Sequence, residues 1–119
     1  MDIRRAVPNL VTDHPAESRA FYADFLGFDV AMDEQGFTMF ASPSNRTAQI
    51  TVAARGAAAD AKIRDAQISV EVADVDAAHA EAVRRGLPVV YPLTDEPWGI
   101  RRFFGRDPDG TVVNVNGHI

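Results

Sequence analysis

Few residues in this chain of 119 have the types and spacing that chemistry needs. There is no cysteine, so neither a thiolate nucleophile nor a thiolate metal site can form. His14 precedes Pro15 in a capping loop, His79 lies on a helical stretch beside Val75 and Val83, and His118 is next to the last residue. None falls on the polar face of a strand-like stretch, so each reads as a structural or surface group and not as a base or metal ligand. Glu71 is the one carboxylate that alternation puts on such a face, where it suits a general base or an arginine partner. The sole tryptophan, Trp98, sits between Pro97 and Gly99 with Tyr91 upstream at the rim. An indole in such a loop is either a hydrophobic plug or a stacking platform for a planar ligand. No glycine-rich phosphate loop, Ser-His-Asp order or cofactor fingerprint is visible, and no cofactor is expected.

The elements that must position these groups repeat themselves. Val11-Thr12-Asp13 and Val72-Ala73-Asp74 each end a strand-like run and open a helix, with Asp13 or His14 capping the first and Asp74 the second. Pro15 suits a first helical turn, and Gly27 and Gly86 supply left-handed stops. Phe21 and Phe25 are four apart in the first helix, while Val75, Ala78, Ala82 and Val83 make the apolar stripe of the second. The Asp-to-Gly spacing is 14 in the first copy and 12 in the second, so the first helix region is two residues longer. After each helix the period changes to two. Phe37–Ala41 and Ala48–Ala53 flank Pro43-Ser44-Asn45-Arg46, and Ile100–Arg106 and Thr111–Asn116 flank Asp107-Pro108-Asp109-Gly110, a strong turn signal. The reading is one α+β domain over residues 1–119 made of two βαβββ modules. Module one covers about 1–55, an Ala-rich connector about 54–66, and module two about 67–119.

Alternation then assigns faces. Ile68, Val70 and Val72 with Val113 and Val115 are expected in the helix-covered core, and Glu71, Asn114 and Asn116 opposite. If Asp107–Gly110 alone form the turn, Phe103 faces Asn114 and Arg101 faces Asn116 on that second face. In module one, Ile50 and Val52 are grouped with Phe37 and Met39 in the core, leaving Gln49, Thr51, Thr38 and Phe40 on the mixed side. Phe21, Phe25, Phe37 and Phe104 are expected to be core residues. The ligand-binding candidates are therefore Trp98, Phe40, Phe103, Arg101, Gln67, Asn114, Thr51, Glu71 and Tyr91. Asp33, Glu34, Asp95 and Glu96 near the expected openings suit a cationic ligand. Pro8, in the first strand, lacks a ladder donor and fits a sheet edge or a strand exchanged with a partner subunit.

The order strand, Val-x-Asp, helix with Phe21-Tyr22, and Leu26-Gly27-Phe28 resembles the vicinal-oxygen-chelate superfamily. The run Glu96-Pro97-Trp98-Gly99-Ile100-Arg101-Arg102-Phe103 leading into Asp107-Pro108-Asp109-Gly110 is similar to one common in its glyoxalase and bleomycin-resistance-like members. The resemblance covers nearly the whole chain and implies a curled mixed sheet with a cleft, usually completed in a homodimer. It also implies metal-ligand positions at Ala6, Thr51, Gln67 and Asn114. There it departs from the metal-dependent members, because an alanine, a hydroxyl and two carboxamides cannot hold Zn²⁺, Ni²⁺ or Fe²⁺ as imidazole and carboxylate do. No metal is expected. The implied function is a metal-free protein that binds a small antibiotic-like molecule, as in bleomycin resistance. The alternative is a glyoxalase- or dioxygenase-like enzyme, a lyase or isomerase, with atypical metal ligands.

A formal net charge of −5 with acids and bases interleaved works against nucleic acid as a partner. No signal-like segment follows Met1-Asp2-Ile3-Arg4-Arg5 and no apolar run reaches bilayer-spanning length, so the expectation is a cytoplasmic protein without a membrane partner.

Overall fold

The computed structural model describes residues 1–57 and 66–119. Module one contains β1 (Ile3–Thr12), α1 (Pro15–Arg19) running into a π-helical turn (Ala20–Phe25), β2 (Asp29–Glu34), β3 (Phe37–Ala41) and β4 (Gln49–Ala54). Module two contains β5 (Ile68–Val72), α2 (Val75–Arg84), β6 (Val89–Asp95), β7 (Ile100–Arg106) and β8 (Val112–His118). The α+β class and the doubled βαβββ order are as expected. Most of the expected connector, residues 58–65, lies outside the described residues. No described helix is long and apolar enough to cross a membrane.

Met1–Ala6 groups with the second module, not with the first, and the other unit begins at Val7. The cause is local: the Asp2 carbonyl accepts from the Ala73 N–H at 3.0 Å, and Arg5 pairs with Glu71 at 2.8 Å.

In module one the strands run in the order β2-β3-β4-β1, with β1 and β4 parallel in register from Asn9 opposite Thr51. Pro8 thus falls just before that ladder. The helix starts without a side-chain cap, because Asp13 turns away to Arg55 at 2.6 Å and Thr12 Oγ1 takes the His14 N–H. The longer Asp-to-Gly spacing is absorbed by the π turn, in which the Leu26 N–H reaches the Phe21 carbonyl five residues back at 3.0 Å. The wide turn also overturns the expectation for two aromatics. Phe21 and Phe25 are exposed, the latter by 74%, while Tyr22 packs against Phe40 and Phe28 on the sheet.

Module two has the order β5-β8-β7-β6, with α2 over one face and a core of Val72, Val75, Ala78, Ala82 and Phe103. Asp74 caps α2 as expected, its Oδ1 accepting from the Ala77 N–H at 2.9 Å. Val83, assigned to the apolar stripe, is exposed. Glu81 grips Arg84 and Arg85, and these guanidinium hydrogen bonds pull its carboxyl down to about 2. Asp107 Oδ1 accepts from the Asp109 and Thr111 N–H groups, both at 2.9 Å, which closes the β7–β8 turn.

Both hairpins are one residue out of the expected register. The β7–β8 loop takes in Thr111, so Arg106 pairs with Val112, Phe104 with Asn114 and Arg102 with Asn116. The β3–β4 loop runs from Ser42, whose N–H donates to the Ala48 carbonyl, so Ala41 pairs with Gln49 and Phe40 with Ile50. Because side chains alternate, a one-residue slip moves a whole strand's set to the other face. Phe40 and Phe103 therefore turn toward the helices, Phe37 and Met39 join Thr51, and Phe104 is buried on the helix-free face of module two.

Two substitutions test this architecture. Asp74→Ala removes the one side-chain cap of α2 and is expected to cost about 1 kcal/mol in urea unfolding at an unchanged m-value. Gly36→Ala is expected to cost roughly 1–3 kcal/mol. Gly36 holds φ at +83° beside Gln35 at 50°, and a Cβ there would lie 2.9 Å from that of Ala57. A change in melting temperature within error of the parent would contradict that tight turn.

Candidate functional site

On the helix-free face of module two, parallel pairing sets Ser69 beside Asn114 and Glu71 beside Asn116. The antiparallel ladder adds Phe104 next to Asn114 and Arg102 next to Asn116, and β6 contributes Tyr91 opposite Phe104. A guanidinium, two amides, a hydroxyl, a carboxylate and two aromatic rings thus share one face.

Arg102 is its centre, and only 1% of it is exposed. Its Nη2 meets Glu96 Oε2 at 2.5 Å, and that carboxylate accepts at Oε1 from the Tyr91 hydroxyl at 3.1 Å. The guanidinium carbon also lies 5.5 Å from the Tyr91 ring, 5.3 Å from Trp98 and 5.1 Å from Phe104. A cation taken out of water needs a counter-charge and polarisable surroundings, and the carboxylate and three rings supply both. The turn that carries Trp98 is closed by the backbone of Glu96. Glu96 N–H donates to the Ile100 carbonyl at 2.7 Å, Gly99 N–H to Glu96 at 3.1 Å, and Gly99 takes φ +88°. Trp98 is left 55% exposed with its ring backed by the guanidinium, the arrangement of a stacking platform.

Glu71 anchors the other end. Its Oε1 lies 2.8 Å from Arg5 Nε and its Oε2 3.4 Å from His118 Nε2. Expected to lie beyond the last strand, His118 instead ends β8 opposite Ile100, on the face of Asn114 and Asn116. The Asn116 amide donates to the Val70 carbonyl at 3.3 Å and Asn114 Nδ2 to Ser69 Oγ at 3.1 Å. Asn114 Oδ1 is buried with no hydrogen-bond partner among the described residues.

Module one offers a counterpart. Thr51 Oγ1 donates to Asn9 Oδ1 at 2.7 Å across the parallel β1–β4 pair, as Asn114 reaches Ser69 across β8–β5. The neighbour of Thr51 is thus Asn9, not Ala6. These amide and hydroxyl donors are neutral, and they do not fit a transition-metal ion. Among the described residues no three His, Asp or Glu side chains gather into a candidate metal site.

Of the residues singled out from sequence, Trp98, Tyr91, Asn114 and Glu71 meet on this face, and Thr51 holds its place in module one. Phe103 and Phe40 do not: the first packs under α2 beside His79, the second under Tyr22. Arg101 turns to the helix side, where it bridges Asp95 at 2.5 Å and Asp76 on α2 at 3.0 Å and holds the Asp95 carboxyl below its usual range. Gln67 is exposed, and its backbone N–H docks on Val112. Asp33 is bound by Arg19, Asp95 by Arg101 and Glu96 by Arg102, so three of the four acids expected to draw a cationic ligand are already neutralised. Sequence reasoning missed Arg102, Phe104, Arg5 and His118 on this face, and gave Glu96 to a ligand instead of to Arg102. For the first two the signal was the Asp107 side chain reaching Thr111, which lengthens the loop by one residue.

No curated protein sequence matches the chain. Solved structures do. A glyoxalase/bleomycin resistance protein/dioxygenase superfamily member from Vibrio splendidus aligns with a TM-score of 0.72 at 15% identity, covering 97% of this chain and 98% of that one. Methylmalonyl-CoA epimerase from Mycobacterium tuberculosis aligns at 0.71 and 20% identity, covering 99% of this chain and 88% of that one. A hypothetical protein from Bacillus halodurans aligns at 0.73 and 11%, covering 100% and 96%. At these identities the likeness is one of fold. The family profile described as Glyoxalase/Bleomycin resistance protein/Dioxygenase superfamily matches residues 4–115. With that match across nearly its whole length and a doubled βαβββ fold to carry it, the chain belongs to the glyoxalase/bleomycin resistance protein/dioxygenase superfamily.

Proposed function

We propose that residues 1–119 form one domain that binds a small, partly aromatic, antibiotic-like molecule without a metal, in the manner the bleomycin-resistance members of the family suggest. The observation that carries this reading is Trp98, half exposed and backed by the buried Arg102 on a face otherwise made of amides, a hydroxyl and a carboxylate. Such a face combines one flat apolar surface with a few directional polar groups, which is what orients a bound organic molecule. The neutral donors at the positions implied for metal ligands support binding without an ion. The neutralised acids favour an uncharged or weakly acidic ligand over a cationic one. A homodimer, by resemblance to the family, and a cytoplasmic setting complete the reading.

The single tryptophan is its own reporter. Titration of Trp98 fluorescence with a panel of planar aromatic antibiotics is expected to show saturable quenching by at least one, and Trp98→Ala to weaken that binding about tenfold by calorimetry. Unaltered emission across the panel at millimolar ligand would end the proposal, as would stoichiometric transition metal in protein purified without chelators. Glu96→Gln tests the support beneath the platform. Taking the counter-charge from a buried guanidinium is expected to cost roughly 3–5 kcal/mol of folding stability and to shift Trp98 emission. A variant as stable as the parent would mean that Arg102 is held by something else.

A further inference from the structure

The β7–β8 hairpin holds two places where an aspartate or asparagine precedes a glycine: Asp109-Gly110 in the turn and Asn116-Gly117 in β8. At such a pair the glycine nitrogen can attack the carbonyl carbon of the preceding side chain, because no Cβ hinders the approach. A carboxamide cyclises more readily than a carboxylic acid, so by sequence Asn116 is the labile residue. The structure reverses that order.

Asn116 is 6% exposed, its Nδ2 donates to the Val70 carbonyl at 3.3 Å, and Gly117 pairs with Arg101 in the ladder. Gly117 is also closed in from β5, since a Cβ there would lie 3.2 Å from the Val72 carbonyl oxygen. Ring closure at Asn116 therefore means breaking the sheet in a place without room for the movement. Asp109 is in the opposite situation. It is exposed, and its carboxylate makes no hydrogen bond or ion pair among the described residues. A Cβ on Gly110 would meet nothing within 4 Å, and the Gly110 N–H is held by one turn bond, to the Asp107 carbonyl at 3.0 Å. Asp107 itself cannot cyclise, because the nitrogen that follows it belongs to Pro108 and carries no proton.

We infer that the β7–β8 turn is a self-modification site, where Asp109 rearranges to isoaspartate through a succinimide while the sheet keeps Asn116 intact. The Gly110 nitrogen forms a bond to Cγ of the protonated Asp109 carboxyl. The proton on that nitrogen and the carboxyl hydroxyl leave together as water. Water then adds back to the imide. Addition at Cγ breaks the new bond and restores aspartate, whereas addition at the backbone carbonyl carbon breaks the original peptide bond and leaves isoaspartate. The water lost is the water regained, so the step needs no other reactant. In the product the main chain runs through Cβ and Cγ of residue 109 and is one atom longer. That atom falls between the Asp109 and Thr111 N–H groups, which Asp107 Oδ1 now holds together, each at 2.9 Å. The lengthened turn loses one of these bonds, and with it part of what closes the hairpin.

The full chain is stored folded in warm neutral buffer and digested with trypsin, and the peptide that begins at Asp107 is followed by chromatography and mass spectrometry. Folded protein is expected to accumulate a form of this peptide with unchanged mass and altered retention, which accepts a methyl group from protein isoaspartyl methyltransferase. Asp109→Glu, at an exposed side chain without partners, is expected to fold as the parent does and to give none of this form. In urea the order is expected to invert, with Asn116 converting ahead of Asp109 and the peptide gaining the mass difference between an amide and an acid. The isomerised chain is expected to unfold at a lower urea midpoint than fresh protein. Deamidation of Asn116 ahead of Asp109 in the folded chain overturns the inference. So does an isomer that persists in Asp109→Glu, or a folded chain that stays unmodified while the unfolded one ages. Equal midpoints for aged and fresh protein overturn the consequence for the turn.

Discussion

A guanidinium with almost no contact with water needs a counter-charge inside the fold, and Glu96 supplies one to Arg102. Arg102 points off β7 away from α2, and Glu96 lies just across the β6–β7 turn. Bringing them to 2.5 Å requires that turn to double back within three residues, which Gly99 permits at φ +88°. The Trp98 ring then lies 5.3 Å from the guanidinium carbon. Tyr91 and Phe104 fill the remaining sides, and the Tyr91 hydroxyl occupies the second carboxylate oxygen. Desolvating such a pair is costly, and the rings packed round it leave an indole half in water.

How much of this was legible depended on the kind of signal. Where apolar and polar residues alternate clearly, as in Ile68-Ser69-Val70-Glu71-Val72 and Val113-Asn114-Val115-Asn116, faces could be read from sequence and the pairing agrees, although Ile68, expected in the core, is exposed at the strand's start. The cap at Asp74 and the Asp107-Pro108-Asp109-Gly110 turn were equally plain, because each is a local hydrogen-bonding preference. Strands β3 and β7 lack such alternation. In Arg101-Arg102-Phe103-Phe104 each type is doubled, so composition cannot say which arginine or which phenylalanine faces the helix. Only loop length decides, and loop length depends on whether Asp107 caps through Thr111 and where Ser42 closes on Ala48. One unresolved residue in each loop sent Phe40, Phe103 and Arg101 to the wrong side.

His118 was lost for a related reason. The last strand was expected to stop near Asn116, whereas the ladder continues to Ile100 opposite His118. A chain end carries no turn residue to mark where pairing ceases. The π turn in module one was hinted at by two surplus residues, but a count does not say where a helix widens. The widening rotates Tyr22 onto the sheet and turns Phe21 and Phe25 outward, a result that i,i+4 periodicity cannot give.

The two modules repeat more than topology. In each, the two parallel strands are joined by one side-chain bond between an amide and a hydroxyl: Asn9 with Thr51 in module one, Asn114 with Ser69 in module two. The residue types swap strands between copies while the bond keeps its place. These neutral pairs lie at or beside the positions where the family resemblance implies metal ligands. A metal site concentrates negative charge and needs the ion to balance it, so one carboxylate left there without the ion would face a desolvation cost. An amide–hydroxyl bond satisfies itself without an ion. The carboxamides and hydroxyls therefore fill these positions without adding charge, with Asn114 Oδ1 left buried and without a hydrogen-bond partner among the described residues, while Arg5 with Glu71 and Arg102 with Glu96 form ion pairs on the same face of module two.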